Sequence, residues 1–139
     1  SYAALAEDVA ETMHARGLPS AAVIGHSMGG KVAMTLALRR PRLVSRLLVA
    51  DMAPRRYAPA LRPYVAAMRG LPLAAGLTRK EADAALAPAV PEAGIRAFLL
   101  QNLDFQSDVP RWTLGLAEIA AGMPDIEAFE EAGRYEGPT

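Results

Sequence analysis

The sequence predicts an α/β fold: two parallel strands with flanking helices, then a set of short helices. Three observations lead there. Helix-like and strand-like segments alternate through the first 50 residues, a serine between glycines falls where a strand hands over to a helix, and prolines crowd into the stretch that follows.

The elements follow in order. Residues 2–16 carry Leu5, Val9 and Met13 at a spacing of four, with Tyr2 and Ala6 alongside, the pattern of an amphipathic helix that Ser1 can cap. Gly17, Leu18, Pro19 and Ser20 end it. Residues 21–25, AAVIG, are a short apolar run with Val and Ile, which predicts a strand buried on both faces. A second helix is expected over residues 28–40, closed by Pro41, and a second doubly buried strand over 43–50, ending at Asp51. Helix, strand, helix, strand at this spacing predicts a parallel sheet with crossover helices.

Past Asp51 the character changes. Seven of the eleven prolines lie from Pro54 to Pro110, and no further buried strand is expected there. Short helices are expected over 60–68, 79–87, 91–102 and 109–121. Thr78-Arg79-Lys80-Glu81 forms a capping box for the second, and Asp108 is the expected N-cap of the fourth. Such a set between sheet strands reads as an inserted helical lid. Residues 124–133 are expected to add a turn or two of helix. The predicted organisation is therefore 1–54 core, 55–133 lid and 134–139 the start of the next core strand.

Composition narrows the function classes. With 139 residues, 52% hydrophobic and 22% charged, the chain has a core to bury and is not a disordered segment. Fifteen basic and fifteen acidic residues cancel, so nothing draws the chain toward nucleic acid or an acidic membrane. Cysteine is absent, which excludes disulfides, thiol nucleophiles and cysteine metal sites and fits a cytoplasmic protein. No signal peptide pattern opens the chain and no apolar run reaches the roughly 18–20 residues of a membrane helix. A soluble, neutral, globular protein is expected, with no membrane partner.

Gly25-His26-Ser27-Met28-Gly29 matches G-x-S-x-G in the strand-to-helix setting that motif requires. A serine on so sharp a turn is held in a strained backbone conformation, so its neighbours must lack bulk. Gly25 and Gly29 are expected to permit the close approach, and Gly30 to let helix pack on strand. The turn aims the Ser27 hydroxyl off the C-terminal edge of the sheet, where open α/β sheets take their ligands. It also sets the Met28 N–H at a helix start, an oxyanion donor beside the nucleophile. A phosphate loop is excluded by the lack of G-x-x-x-x-G-K-[ST], and a dinucleotide site by the lack of G-x-G-x-x-G.

GHSMGGKVAM resembles the nucleophile elbow of the α/β-hydrolase superfamily. LLVADMAPRRY and FLLQNL resemble the small acyl esterases of the YbfF and ABHD11 type, and YEGPT resembles the lead into the strand after their lid. The resemblance runs along essentially the whole chain and is most specific over residues 25–34. It implies the central portion of a hydrolase: a partial α/β-hydrolase core, without the strands bearing the other oxyanion loop or the segment bearing the catalytic histidine. The implied reaction is cleavage of small or medium acyl esters, or thioesters, through an acyl-enzyme on Ser27, with no metal or organic cofactor. A small-molecule acyl substrate is the expected partner.

The residues themselves leave several points open. Only His14 and His26 are present; the first reads as a solvated helix residue and the second as a turn residue pointing away from Ser27. The chain alone therefore has no base and is expected to be inactive. Asp51, at the tip of the second strand, reads either as the acid of the triad or as a turn residue. The resemblance permits both, since the family usually takes its acid after the lid and in some members at the earlier strand. Asp104, Asp108 and Asp125 read as caps or loop residues. Tyr64, Met68, Phe98, Leu99, Trp112 and Leu116 either line an acyl pocket or pack the lid helices together. Arg55 and Arg56 read as surface residues or as contacts for an acidic group. The rival functions are a C–C bond hydrolase or acyltransferase with the same elbow, and a non-catalytic ligand-binding protein of the same fold.

Overall fold

The computed structural model describes residues 1–139, which divide into two compact units. The first comprises Ser1–Ala58 and Pro124–Thr139, the second Pro59–Met123.

In the first unit, helix α1 (Tyr2–Ala15) starts at Ser1, whose Oγ accepts the Ala4 N–H at 3.4 Å. Strand β1 (Ala21–His26), helix α2 (Met28–Arg39) and strand β2 (Val44–Ala50) follow, and β1 pairs with β2 in parallel. The register shifts between Ala21 and Ala22, which face Val44 and Arg46. Ser45 is thus the extra residue of a bulge, and Val44 and Leu47 both turn inward. They join Ala6, Ala10 and Met13 of α1 and Ala33, Met34, Leu36 and Ala37 of α2 in one apolar core.

The sheet is not buried on both faces as the apolar runs predicted. Ala22, Ile24 and His26 alternate outward on β1, and Ile24 and Leu48 remain 73% and 53% exposed. A continuous apolar run says a strand is meant to be covered twice, whereas burial depends on what covers it; within this chain α1 and α2 supply one layer. Residues 134–139 form no strand. The Leu47 N–H donates to the Pro138 carbonyl at 2.9 Å, but Pro138 has no N–H with which to extend a ladder.

The second unit holds α3 (Arg62–Gly70), α4 (Arg79–Leu86) and α5 (Ala93–Leu99), then a short antiparallel hairpin, β3 (Leu103–Asp104) with β4 (Arg111–Trp112). The Thr78–Glu81 capping box of α4 forms with both of its bonds. The helix expected over 109–121 does not form there. Its first half is taken into the hairpin, with the Thr113 N–H bonded to the Asn102 carbonyl at 2.9 Å, and α6 (Leu116–Glu127) starts only afterwards. Asp108 therefore caps no helix; its carbonyl accepts the Gly76 N–H. Helix α6 runs on through Pro124 and supplies the turn expected at the start of 124–133. No helix is long and apolar enough to cross a membrane.

Candidate active site

The sheet register places His26 beside Ala50, the last residues of β1 and β2. The next residue, Ser27, leaves the sheet with φ 52° and ψ −122°, a conformation L-residues rarely adopt. Two backbone bonds hold it. The Ser27 N–H donates to the Ala50 carbonyl at 3.1 Å, and the Gly30 N–H donates to the Ser27 carbonyl at 2.8 Å.

The flanking glycines have different reasons. A Cβ on Gly25 would run into the Gly29 carbonyl and lie 2.7 Å from the Gly30 Cα, and backbone cannot move aside as a side chain can. A Cβ on Gly30 would meet Val49 Cγ1 at 3.0 Å and Met52 Cβ at 3.1 Å, so this glycine sets how tightly α2 lies on β2. Gly29 departs from expectation: a Cβ there meets nothing within 4 Å. Its part in the turn is played by its backbone, against which Gly25 is packed.

Ser27 occupies the N-cap position of α2 but makes no side-chain cap bond. Serine normally caps by accepting an N–H from the first turn. Ser27 instead has positive φ and is half-buried just past the C-terminal end of β1. Met28 follows as the first residue of α2, where N–H groups have no intrahelical acceptor and the dipole favours negative charge.

Asp51 lies at the same edge. It directly follows Ala50, is exposed, and has φ 54°; Ser27 and Asp51 are the chain's two non-glycine residues of positive φ. The structure thus brings Ser27, the Met28 N–H and Asp51 to the ends of two adjacent strands. It brings neither histidine into a base position: His14 is exposed on α1, and His26 lies on the outward face of β1.

The remaining candidates lie elsewhere. Met68, Leu99 and Leu116 are buried against one another with Tyr64 and Trp112 packed on them, whereas Phe98 is 64% exposed. Asp104 accepts the Gln106 N–H at 2.9 Å and lies 3.5 Å from Arg111, as a hairpin residue does. Asp125 is exposed, 4.0 Å from the Ser1 amino group. Arg55 stacks 4.8 Å from the Tyr57 ring, and Arg56 reaches Glu130 at 4.0 Å on the surface.

One residue escaped the sequence reading. Lys31, in the first turns of α2, is 1% exposed. Its Nζ donates to the carbonyls of Ile126, Glu127 and Ala128 at 3.1, 2.9 and 2.8 Å, and lies 5.4 and 5.1 Å from the ring centres of Tyr2 and Tyr57. An ammonium has three donors, and the end of α6 offers carbonyls that the helix cannot pair itself. Burial pushes this ammonium below the usual lysine range, with Arg56 adding to the shift and Tyr57 and Glu127 opposing it. The available signal was a lone charged residue in a helix segment of mainly small and apolar residues, Gly30, Ala33, Met34 and Leu36.

The alpha/beta hydrolase family model matches residues 1–134. The chain belongs to the alpha/beta hydrolase family. It is 38% identical over 146 residues to the sn-1-specific diacylglycerol lipase ABHD11 of Mus musculus, covering 100% of this chain and 48% of that protein. It is 32% identical over 140 residues to the esterase YbfF of Escherichia coli strain K12, covering 99% of the chain and 53% of that protein. Among solved structures, a marine microorganism esterase superposes with a TM-score of 0.88 at 30% identity, covering 99% of this chain and 56% of the other. The chain spans about half the length of the curated relatives it matches.

Proposed function

We propose that this chain carries the nucleophile of a serine hydrolase acting on small or medium acyl esters, thioesters included. The observation that carries the reading is Ser27: a strained N-cap serine that caps nothing, held by glycine packing and by the bond to Ala50. Strain of this kind persists where the surroundings over-determine it, and it concentrates at catalytic positions. The esterase and lipase relatives support ester cleavage.

In this mechanism the Ser27 Oγ attacks the acyl carbon while a histidine from the rest of the protein takes its proton. The tetrahedral oxyanion forms beside the Met28 N–H, and a second donor comes from outside this chain. One such donor is typically worth roughly 2.7–4 kcal/mol in the transition state. The intermediate expels the alcohol or thiol, which the histidine protonates, and water then hydrolyses the acyl-enzyme. Asp51 is placed to orient that histidine. The second unit, Pro59–Met123, is read as the helical lid of this hydrolase.

A fluorophosphonate probe on the full-length protein tests this. The probe is expected on the peptide containing Ser27, and Ser27→Ala is expected to lose both label and turnover while keeping its melting temperature. Undiminished ester hydrolysis by the alanine variant would overturn the assignment.

A further inference from the structure

The partners of Lys31 show what its charge holds. The chain leaves the core unit after Ala58 and re-enters it at Pro124. Tyr57 stands just before the departure, and Ile126, Glu127 and Ala128 just after the return. The two crossings are joined directly, since the Tyr57 N–H donates to the Glu127 carbonyl at 2.9 Å. Lys31 engages both: three carbonyls of the returning segment take its ammonium, and the ring of Tyr57 on the departing segment faces it at 5.1 Å. Two further bonds brace the group. The Tyr57 hydroxyl accepts the Ala53 N–H at 2.8 Å, and the Tyr2 hydroxyl donates to the Ile126 carbonyl at 2.6 Å.

We propose that Lys31 is a positioning residue that pins both crossings of the 59–123 insertion to the helix beginning at Met28. An apolar side chain could fill the same space, but it would take a donor from all three carbonyls, leaving Ile126 to the Tyr2 hydroxyl and Glu127 to the Tyr57 N–H, and would not tie them to α2. The ammonium ties both crossings to one point: the returning segment cannot move without stripping a buried charge of its acceptors, and the departing one cannot move without taking the Tyr57 ring off that charge. Because Lys31 sits one turn beyond Ser27, the hinge of the insertion is set from the elbow helix itself. The consequence for catalysis rests on the reading above that this insertion is the lid; the hinge does not.

The test uses the full-length hydrolase and hydrogen exchange read by mass spectrometry. Lys31→Met keeps the length of the side chain and removes its donors. Peptides spanning 53–59 and 124–130 are expected to exchange about tenfold faster or more, with β1 and β2 peptides unchanged, because local opening is decoupled from global unfolding. KM for a long acyl ester is expected to rise about threefold or more, with kcat on a short one little changed. A second variant, Tyr57→Leu, leaves the three carbonyl bonds but removes one ring and the acceptor for Ala53. It is expected to speed exchange at 53–59 and to spare 124–130, and it keeps the test open if Lys31→Met does not fold. Unchanged hinge exchange in either variant, or equal acceleration through β1, α2 and β2, would overturn the proposal and leave Lys31 an ordinary core residue. Exchange does not depend on Ser27 chemistry, so normal hinge results in a protein without esterase activity would count against the proposed function alone.

Discussion

The Ser27 amide donates to the Ala50 carbonyl at 3.1 Å, which extends the β1–β2 ladder one residue past the end of β1. The residue that turns out of the sheet is therefore positioned by the neighbouring strand and not by a loop. Asp51 follows Ala50 directly, so the two strained residues, at φ 52° and 54°, flank a single hydrogen bond. Each strand exit stabilises the other, and substitutions here separate backbone roles from side-chain roles.

Asp51→Asn is the sharpest of these. Asparagine tolerates positive φ at least as well as aspartate, so the turn and the melting temperature are expected to hold. With Asp51 as the acid, kcat on a short acyl ester in the full-length protein is expected to fall by about 10⁴-fold, the loss that the same change brings in a serine protease triad. A stable variant retaining more than about a hundredth of the parental kcat would make Asp51 a turn residue.

Gly25 and Gly29 look equivalent in the motif and are expected to behave oppositely. Gly25→Ala forces a methyl into the backbone of Gly29 and Gly30, a clash without a rotamer to relieve it, and is expected to cost about 3 kcal/mol or more. Gly29→Ala meets nothing within 4 Å and lies in the first turn of a helix. There alanine is expected to stabilise by about 0.5–1 kcal/mol. Denaturant midpoints for the two variants decide the matter.

The capping box of α4 supplies a pH dependence. The Glu81 carboxyl accepts from the Thr78 hydroxyl at 2.7 Å and the Thr78 N–H at 2.9 Å, and these bonds hold it below its ordinary value of 4.5. As pH falls, the unfolded chain takes up this proton first. The contribution is therefore complete above the ordinary value and is lost as pH drops through the lower folded one. Glu81→Ala is expected to lower the urea midpoint at neutral pH, with the difference shrinking as pH falls below the ordinary value of 4.5. Thr78→Ala is expected to cost about 1 kcal/mol.

Residues 1–139 prepared alone present Ile24 and Leu48 on an uncovered sheet face, with two strand edges beside them. Such a preparation is expected to bind a hydrophobic dye and to self-associate. Ile24→Thr with Leu48→Thr is expected to reduce both effects. Light scattering and dye fluorescence, read against the same change in the full-length protein, check this. A monomeric, dye-silent wild-type chain would show the face to be harmless.

What was legible in the sequence was local. The spacing of Leu5, Val9 and Met13, the AAVIG run and the Thr78–Glu81 box each act within a few residues, and helix, strand and cap form there, although Leu5 is exposed and Ala6 and Ala10 join Met13 on the inner face of α1. What escaped depends on distant partners. Residues 111–112 follow a good N-cap candidate in Asp108 and precede α6, yet pairing with Leu103 and Asp104 takes them into a hairpin. The exposure of Ile24 depends on a covering layer that the strand itself does not specify. Lys31 is the extreme case, since its acceptors lie 95 to 97 residues away and lysine is ordinarily solvated. At the candidate site, the strand-to-helix turn at Ser27 was readable because glycine, serine and strand are contiguous. The role of Gly29 was not, because only coordinates show which of two glycines the other is packed against.

The discontinuity of the core unit has a consequence for how this protein changes over time. Residues 59–123 depart and return at points joined by the Tyr57–Glu127 bond, so whatever lies between them enters the fold as a closed loop. Each doubling of such a loop adds only about 0.6 kcal/mol of closure cost. A segment of different length or sequence is expected to be exchangeable within residues 59–123 with the pairing of β1 and β2 kept, a pairing made wholly within the other unit. Selection then has room to rewrite the insertion while the turn at Ser27 stays fixed, and an engineer grafting a foreign segment at these two junctions would work with the same freedom.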